Sequence, residues 1–285
     1  VTEFTELQGE MGKEYALLDG EKPEVAQAIF EQYMPRFAGD ILPQQEIGRA
    51  LSLADKLDNL AATFLRGLIP TGSQDPFALR RQTIGAVNIL TDGKIHWDIR
   101  RGIEAALALL PGDEETKKTV LSQIEDFFRQ RIKAIMLDEG IAYDIIDAVL
   151  AGPVDDIYAL FLKARSMAES QLKGEAELRQ AVTRLANITK GKAGGKVDPS
   201  LFTEDVEKKL QDAFEAVSAK ALPLFASYEY GKALPALKEL TAPINDYLDN
   251  VMVMVDDEAV KNNRISQLLA TLALFNTWGD FSKLV

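Results

Sequence analysis

The run Ile47-Gly-Arg-Ala-Leu-Ser-Leu-Ala-Asp-Lys-Leu-Asp-Asn-Leu-Ala-Ala-Thr-Phe-Leu-Arg-Gly-Leu68 decides the fold class. Its apolar residues recur at spacings of three and four, which is typical of one face of an α-helix. Similar stripes cover most of the chain, at residues 84–90, 103–110, 120–137, 157–167, 178–188, 206–217 and 265–275. Val251–Val255 is the one run that resembles a strand, and a short buried turn or piece of helix explains it equally well. We therefore predict an all-α protein.

Composition excludes several kinds of catalytic site. The chain has 285 residues, no cysteine and one histidine, His96. It can form no disulfide, cysteine-ligated metal site or His-His metal motif. No general-base motif accompanies His96, so a surface or half-buried histidine is the simpler interpretation. No signal peptide and no apolar run long enough for a membrane span is found. Since the chain begins at Val1 without a methionine, we expect a fragment of a longer cytoplasmic protein with no membrane partner.

Charge is unevenly distributed along the chain. The formal net charge is −12, which argues against a protein that coats nucleic acid indiscriminately. Residues 1–150 carry −9 and residues 151–285 carry −3, yet residues 163–196 hold eight basic and three acidic side chains, a net of +5. A solvated helix face is the usual explanation for such a cluster of basic residues. The basic loop Gly191–Pro199 adjoins it, which gives a phosphate-binding surface about equal weight.

Asp55 and Asp58 lie one helical turn apart and interrupt an apolar face. They are either a structural, hydrogen-bonded pair of carboxylates or ligands of a divalent metal. The segment resembles the last helix motif of HD-type phosphohydrolases, which implies that Asp55 corresponds to the final metal ligand. No histidine precedes Asp55, so either the earlier helices lie upstream of Val1 or the domain has lost its metal. We favour a metal-free relic, and we predict no metal site and no catalytic residue in this chain.

Proline and glycine divide the chain into segments. Residues 70–76 form a predicted loop, with Asp75-Pro76 as the cap and first position of a helix over residues 77–90. Arg80-Arg81 follow this loop. They are interpreted either as a phosphate contact or as an ordinary pair of surface residues. Ala151-Gly-Pro153 separates two groups of helices. We therefore predict two domains, residues 1–152 and residues 153–285.

Three motifs in the first domain resemble one protein family. They are Glu3-Phe-Thr-Glu-Leu-Gln-Gly-Glu-Met-Gly12, Leu53-Ala-Asp-Lys-Leu-Asp58 and Gly67-Leu-Ile-Pro-Thr-Gly-Ser-Gln-Asp-Pro-Phe-Ala-Leu-Arg-Arg81. Each is similar to a segment of the β subunit of bacterial glycyl-tRNA synthetase.

The second domain continues the resemblance in the same order. Its matching segments are Arg184–Ile188, Val197–Pro199, Asp249–Met254, Asn262–Arg264 and Asp280–Leu284. Because the motifs span the whole chain, chance similarity is a poor explanation for them.

The resemblance implies a fold and a function. In this family a separate α subunit holds ATP, Mg²⁺ and glycine, and the β subunit binds tRNA. The resemblance implies an HD-like helical domain at residues 1–152, truncated at its N-terminal end if helices precede Val1. It also implies a helical-bundle anticodon-binding domain of the arginyl-tRNA synthetase type at residues 153–285. The chain is then the tRNA-binding part of a glycine–tRNA ligase, with tRNA-Gly and the α subunit as partners. It would not bind DNA, and it would hold no cofactor and be non-catalytic alone.

The same resemblance suggests which residues meet RNA. The main candidates are Arg179, Arg184, Lys190, Lys192 and Lys196. To these we add Asn263 and Arg264, which we expect to open the last helix, where free N–H groups can bind phosphate. Capping of that helix by Asn262 is an equally good interpretation. Single-stranded bases are commonly read by stacking, for which the sequence offers Phe202, Tyr228 and Tyr230.

Two other classes of function stay open from sequence. One is a metal-dependent HD-type phosphohydrolase, which needs a His-Asp pair in front of Asp55. The other is a helical scaffold with no role in RNA binding.

Overall fold

The computed structural model describes residues 4–72 and 74–285, and over that part of the chain it contains α-helices, short 3-10 turns and no β-strand. The prediction of an all-α protein is confirmed. Val251–Val255 is irregular and joins the last two α-helices. Glu3, in the first family motif, and Ser73, in the predicted loop, lie outside the described residues.

The chain forms two compact units. The first comprises the residues up to Ile135 together with Val154–Tyr158. The second comprises Met136–Pro153 and Ala159–Val285. The two units are defined by how compactly their residues pack. They do not test the predicted domain boundary between residues 152 and 153, which stays a prediction.

The first unit is built around one long helix. This helix spans Glu46–Leu65 and turns Leu57, Leu60 and Phe64 inward, each at most 2% exposed. Its helices are α1 (Glu10–Leu18), α2 (Pro23–Glu31), α3 (Glu46–Leu65), α4 (Leu79–Asp92), α5 (Ile99–Ala108) and most of α6 (Glu114–Asp138). The rings of Phe64 and Phe127 meet edge to face at 5.2 Å, so α3 and α6 share this core.

Helix α4 begins two residues later than its sequence pattern predicts. Ala78 takes a left-handed conformation, φ 54°, and the helix starts at Leu79. Pro76 is therefore not its first position. The carboxylate of Asp75 still accepts hydrogen bonds from the backbone N–H groups of Leu79 (2.8 Å) and Arg80 (3.0 Å), so it caps the helix from inside the preceding loop.

Lys56 lies on the buried face of α3 and is 3% exposed. Its ammonium group donates hydrogen bonds to the Met34 carbonyl (2.8 Å) and the Ser52 hydroxyl (2.7 Å). A methyl group at Gly85 would come within 3.0 Å of Lys56 Cε, so the glycine leaves room for the lysine stem. Burial lowers the pKa of Lys56 to about 8, and the nearby charge of Asp55 offsets only part of that effect.

The second unit packs around an aromatic cluster near the C-terminal end of the chain. Its helices are α7 (Tyr143–Val149), most of α8 (Ile157–Glu169), α9 (Ala176–Thr189), α10 (Asp205–Ala226), α11 (Leu234–Lys238), α12 (Thr241–Asn250) and α13 (Glu258–Asn276). Trp278 is completely buried and packs edge to face on Phe281 at 5.8 Å. Its indole N–H donates to Ser166 Oγ at 3.0 Å, which satisfies the polar end of a buried ring.

Among the described residues, each helix is too short or too polar to cross a lipid bilayer.

Replacing Lys56 with methionine should stabilise the chain at neutral pH. The unfolded chain keeps the lysine proton up to about pH 10.5, whereas the folded chain releases it near pH 8. The penalty is therefore fully present below pH 8, and the stability of the natural chain should rise between pH 8 and pH 10. We expect Lys56→Met to add about 1–3 kcal/mol at pH 7 and to remove most of that rise. Urea denaturation at pH 7 and pH 9.5 measures both effects.

The exposed Lys118 on α6 supplies the control. Lys118→Met should leave both the stability at pH 7 and its pH dependence unchanged. An equal pH slope in the natural chain and Lys56→Met would contradict the assignment of the slope to Lys56.

Candidate nucleic-acid interface

The basic segment centres on helix α9 and the loop that follows it. Leu178, Val182 and Leu185 are buried on one face of α9. The helix ends at Thr189, and Gly191 takes a left-handed conformation with φ 70°, as is common just beyond a helix C-terminus. The chain then leaves the helix as the loop that carries Lys190, Lys192 and Lys196, which we call the lysine loop (residues 190–196).

The lysine loop is attached to helix α13. The backbone N–H of Gly195 donates to Ser266 Oγ at 2.8 Å. Just beyond the loop, the Asn263 side chain accepts from the Asp198 N–H at 2.7 Å and donates to the Asp198 carbonyl at 3.0 Å. A methyl group at Gly194 would come within 2.9 Å of Leu269 Cδ1. The C-terminal end of the basic loop is therefore tied to a buried helix by hydrogen bonds.

The three lysines of this loop present their side chains differently. Lys190 and Lys196 are exposed. Lys192 is half-buried, and its ammonium lies 3.7 Å from Met254 Sδ. The loop therefore offers two freely accessible positive charges and one held against the segment between α12 and α13.

The two arginines of α9 already have partners in the fold. Arg184 donates to Asn245 Oδ1 at 2.9 Å and to Asp249 Oδ1 at 2.5 Å, both on α12. Arg179 donates to the carbonyls of Lys173 (3.1 Å) and Leu284 (3.2 Å). The Arg184 side chain is 41% exposed, so part of it remains accessible to solvent. RNA contact by either arginine stays a prediction.

The structure corrects the placement of Asn263 and Arg264. Helix α13 begins at Glu258, and the carboxylate of Asp257 caps it by accepting from the N–H groups of Ala259 and Val260. Asn263 and Arg264 therefore lie in the second turn instead of at the helix opening, and each is 4% exposed. Their burial gives no support to RNA contact, and we leave both out of the proposed surface.

Arg264 forms a buried ion pair with Glu207 of α10. The guanidinium donates to both carboxylate oxygens, at 2.9 and 3.2 Å, and to the Thr203 hydroxyl (2.6 Å) and the Met252 carbonyl (2.8 Å). Glu207 also accepts the N–H groups of Thr203 and Glu204, which completes a capping box at the start of α10. Burial opposes ionisation of Glu207, but Arg264 and these N–H donors hold the pKa of its carboxyl below the ordinary value.

The sequence pattern did not reveal this pair. The spacing of Glu204 and Glu207 signals a capping box, but nothing local connects Glu207 with an arginine 57 residues away. Only the packing of α10 against α13 brings the two groups together.

The three candidate stacking residues differ in exposure. Tyr230 is buried at 4%, and Lys163 lies over its ring at 5.5 Å. Phe202 is half-buried. Tyr228 is 37% exposed and takes a left-handed conformation, φ 60°, with its ring 6.4 Å from that of Tyr230. Of the three, Tyr228 has the surface available for a base.

In the first unit, Asp55 is half-buried and hydrogen-bonded. It accepts from the side-chain amides of Gln32 (3.1 Å) and Asn59 (3.4 Å). In the described part of the chain, no three His, Cys, Asp or Glu side chains are grouped closely enough to hold a metal ion. His96 pairs through Nδ1 with Asp156 at 2.8 Å and packs against Tyr158, so it joins two segments of this unit.

Comparison with known proteins assigns a protein family to the N-terminal half of the chain and a domain type to most of the C-terminal half. Residues 178–279, which include most of α9, the lysine loop and α13, match the DALR anticodon binding domain. Residues 1–151, just over half of the chain, match the glycyl-tRNA synthetase beta subunit family. The chain belongs to the glycyl-tRNA synthetase beta subunit family.

Individual relatives agree over the full chain. It is 43% identical over 286 residues to a glycine–tRNA ligase beta subunit of Clostridioides difficile, and 41% identical over 289 residues to that of Desulforamulus reducens. A relative from Syntrophotalea carbinolica is 41% identical over 287 residues. Each alignment covers 100% of this chain and 42% of the relative. The chain therefore spans less than half the length of these curated relatives.

Removing Arg264 should destabilise the second unit strongly. Arg264→Met leaves the buried carboxylate of Glu207 without its counter-charge, which typically costs about 3–5 kcal/mol. Urea denaturation at pH 7, followed by circular dichroism, measures this loss.

A double variant separates charge from packing. Glu207→Gln combined with Arg264→Met keeps an oxygen that can accept from Thr203 and Glu204 but removes the unpaired charge. We expect the double variant to be more stable than Arg264→Met alone. If the single variant is the more stable of the two, the ion pair is not the reason for the loss.

Proposed function

We propose that this chain is the tRNA-binding part of a glycine–tRNA ligase beta subunit, with residues 153–285 as its anticodon-binding domain. It recognises tRNA-Gly in the anticodon region so that the α subunit can attach glycine. The observation that carries the proposal is the match to an anticodon binding domain over the helices that hold the lysine loop.

The placement of the lysine loop supports RNA binding. Lys190 and Lys196 are exposed on backbone that is hydrogen-bonded to α13 through Gly195 and Asp198. A backbone held in this way loses little conformational freedom when a phosphate or base docks on it. Two accessible ammonium groups on an anchored loop therefore suit contacts to an RNA strand.

The charge distribution supports selectivity. A chain of net charge −12 repels nucleic acid at long range, whereas the exposed ammonium groups of Lys190 and Lys196 attract it locally. Repulsion outside the correct contact surface disfavours non-cognate docking as effectively as added contacts favour the cognate one.

The proposal divides the reaction between two subunits. ATP, Mg²⁺ and glycine bind to the α subunit, and this cytoplasmic chain supplies tRNA recognition without catalysing a step itself. Glycine attachment should then require both subunits, and the chain alone should form no glycyl-tRNA.

The proposal is tested by measuring the binding of tRNA-Gly and a non-cognate tRNA to the complete chain over a series of salt concentrations. We expect tighter binding of tRNA-Gly and a dissociation constant that rises steeply with salt. Equal affinity for both tRNAs, or no binding at low salt, would contradict anticodon recognition.

Neutralising the lysine loop should weaken RNA binding. The triple variant Lys190→Gln, Lys192→Gln, Lys196→Gln removes up to three ammonium groups that can bind phosphate. The slope of log affinity against log salt should flatten by up to about 0.7 for each phosphate of a single strand that the variant no longer neutralises. Filter binding or fluorescence anisotropy across the salt series measures the slope.

A matched variant controls for the change in net charge. Lys220, Lys232 and Lys238 lie in the same compact unit, and each is already paired with a glutamate, respectively Glu239, Glu229 and Glu175. Their triple replacement by glutamine changes the net charge equally and should leave the salt slope near that of the natural chain. Equal losses in the two triple variants would point to overall charge as the cause.

A further inference from the structure

A polar pocket in the first unit brings two arginines together. It has a volume of about 380 Å³ and lies between the segment before α4 and the middle of α6. Arg80 and Arg131 both line it, 51 positions apart in the sequence. The pocket lies outside residues 178–279 and uses none of the side chains proposed above for RNA binding.

Arg80 reaches the pocket from the second position of α4. Its guanidinium donates to the Gly72 carbonyl at 2.7 Å and more weakly to the Gln74 carbonyl at 3.4 Å. These carbonyls orient the side chain without neutralising its charge. The carboxylate of Asp75 accepts hydrogen bonds from the backbone N–H groups that begin α4.

Arg131 reaches the pocket from α6. Its guanidinium lies 4.0 Å from the ring centroid of Phe127 and donates to Gln130 Oε1 at 2.8 Å. Both partners belong to its own helix, so the side chain connects no two elements. Among the described residues neither Arg80 nor Arg131 forms an ion pair with a carboxylate.

The electrostatics of the pocket favour an anion. Burial lowers the pKa of Arg131, the positive charge of Arg80 lowers it further, and the nearby carboxylate of Asp75 offsets only part of these effects. The acidic residue in the lining, Asp126, pairs with Arg129 at 2.7 Å. Two like charges that face one partly buried space repel each other. An anion between them would be attracted to both guanidinium groups, and this attraction would offset their repulsion.

The shape and walls of the pocket define the class of anion. Two planar guanidinium groups match the tetrahedral oxygens of a phosphate, to which arginine binds through paired N–H donors. Phe64, Ile69 and Pro70 supply apolar walls, and Gln123 and Gln130 supply amide groups. The volume exceeds that of a phosphate group and accommodates the sugar attached to it.

We propose that this pocket binds a phosphate group, with Arg80 and Arg131 holding its oxygens and the apolar walls contacting the attached sugar. The phosphate belongs either to an RNA backbone or to a free phosphate monoester. The first source rests on the tRNA-binding function proposed above, and the second is independent of it.

The first arm of the test uses inorganic phosphate and the complete chain. Phosphate should raise the melting temperature above that in sodium chloride of equal ionic strength, because a ligand that binds only the folded state stabilises it. Arg131→Gln should abolish this difference, whereas Lys118→Gln, an exposed charge change on the same helix, should preserve it. Arg131→Lys keeps the charge but loses the paired donors, and it should bind phosphate about tenfold more weakly than the natural chain.

The second arm uses tRNA-Gly over a salt series. If the phosphate is part of RNA, Arg131→Gln reduces the salt slope by about 0.7–0.9 compared with Lys118→Gln. If the slope is unchanged while inorganic phosphate no longer stabilises Arg131→Gln, the site serves a free phosphate monoester.

The outcomes separate this proposal from the function on which its RNA source depends. Absence of tRNA binding by the natural chain contradicts the proposed function and leaves the first arm decisive for the pocket. A phosphate effect that is missing in the natural chain, or identical in Arg131→Gln and Lys118→Gln, overturns the pocket. If Arg131→Gln does not fold, the comparison between Arg131→Lys and Lys118→Gln decides the question in the same way.

Discussion

The buried pair between Glu207 and Arg264 is the interaction on which the second unit depends. It joins the first turn of α10 to the second turn of α13, and through Thr203 and Met252 it also fixes the segments that precede those helices. A guanidinium in such a position is tolerated only because nearly every donor has an acceptor. The pair therefore links α10 to α13, and α13 in turn holds the backbone at the end of the lysine loop through Ser266 and Asn263.

The lysine loop shows how a buried helix supports an exposed surface. Helix α13 contributes Asn263 and Ser266, whose polar groups bind backbone near the end of the loop. The exposed ammonium groups of Lys190 and Lys196 belong to that same stretch of chain. Buried residues of α13 can thus determine the geometry of the residues proposed to contact RNA, because backbone hydrogen bonds reduce the freedom of the loop before any ligand arrives.

Much of the helical architecture was accessible from apolar spacing, but the state of individual polar side chains was not. The stripe on α9 correctly predicted that Leu178, Val182 and Leu185 are buried. Sequence reasoning also placed Asn263 and Arg264 at the start of the last helix, but α13 begins at Glu258 and is capped by Asp257. A cap depends on which N–H groups are left free, and several nearby polar residues compete for that position.

The sequence by itself determined the helices, the division of charge and the family, since each depends on residues close together in the chain or on whole motifs. Tertiary structure alone decided which charged side chains are paired within the fold and which remain available to a ligand. Arg264 meets Glu207 across 57 residues, and Arg80 shares a pocket with Arg131 across 51. Such encounters follow from how helices pack, and helix packing is set by the summed fit of many side chains instead of by any local pattern.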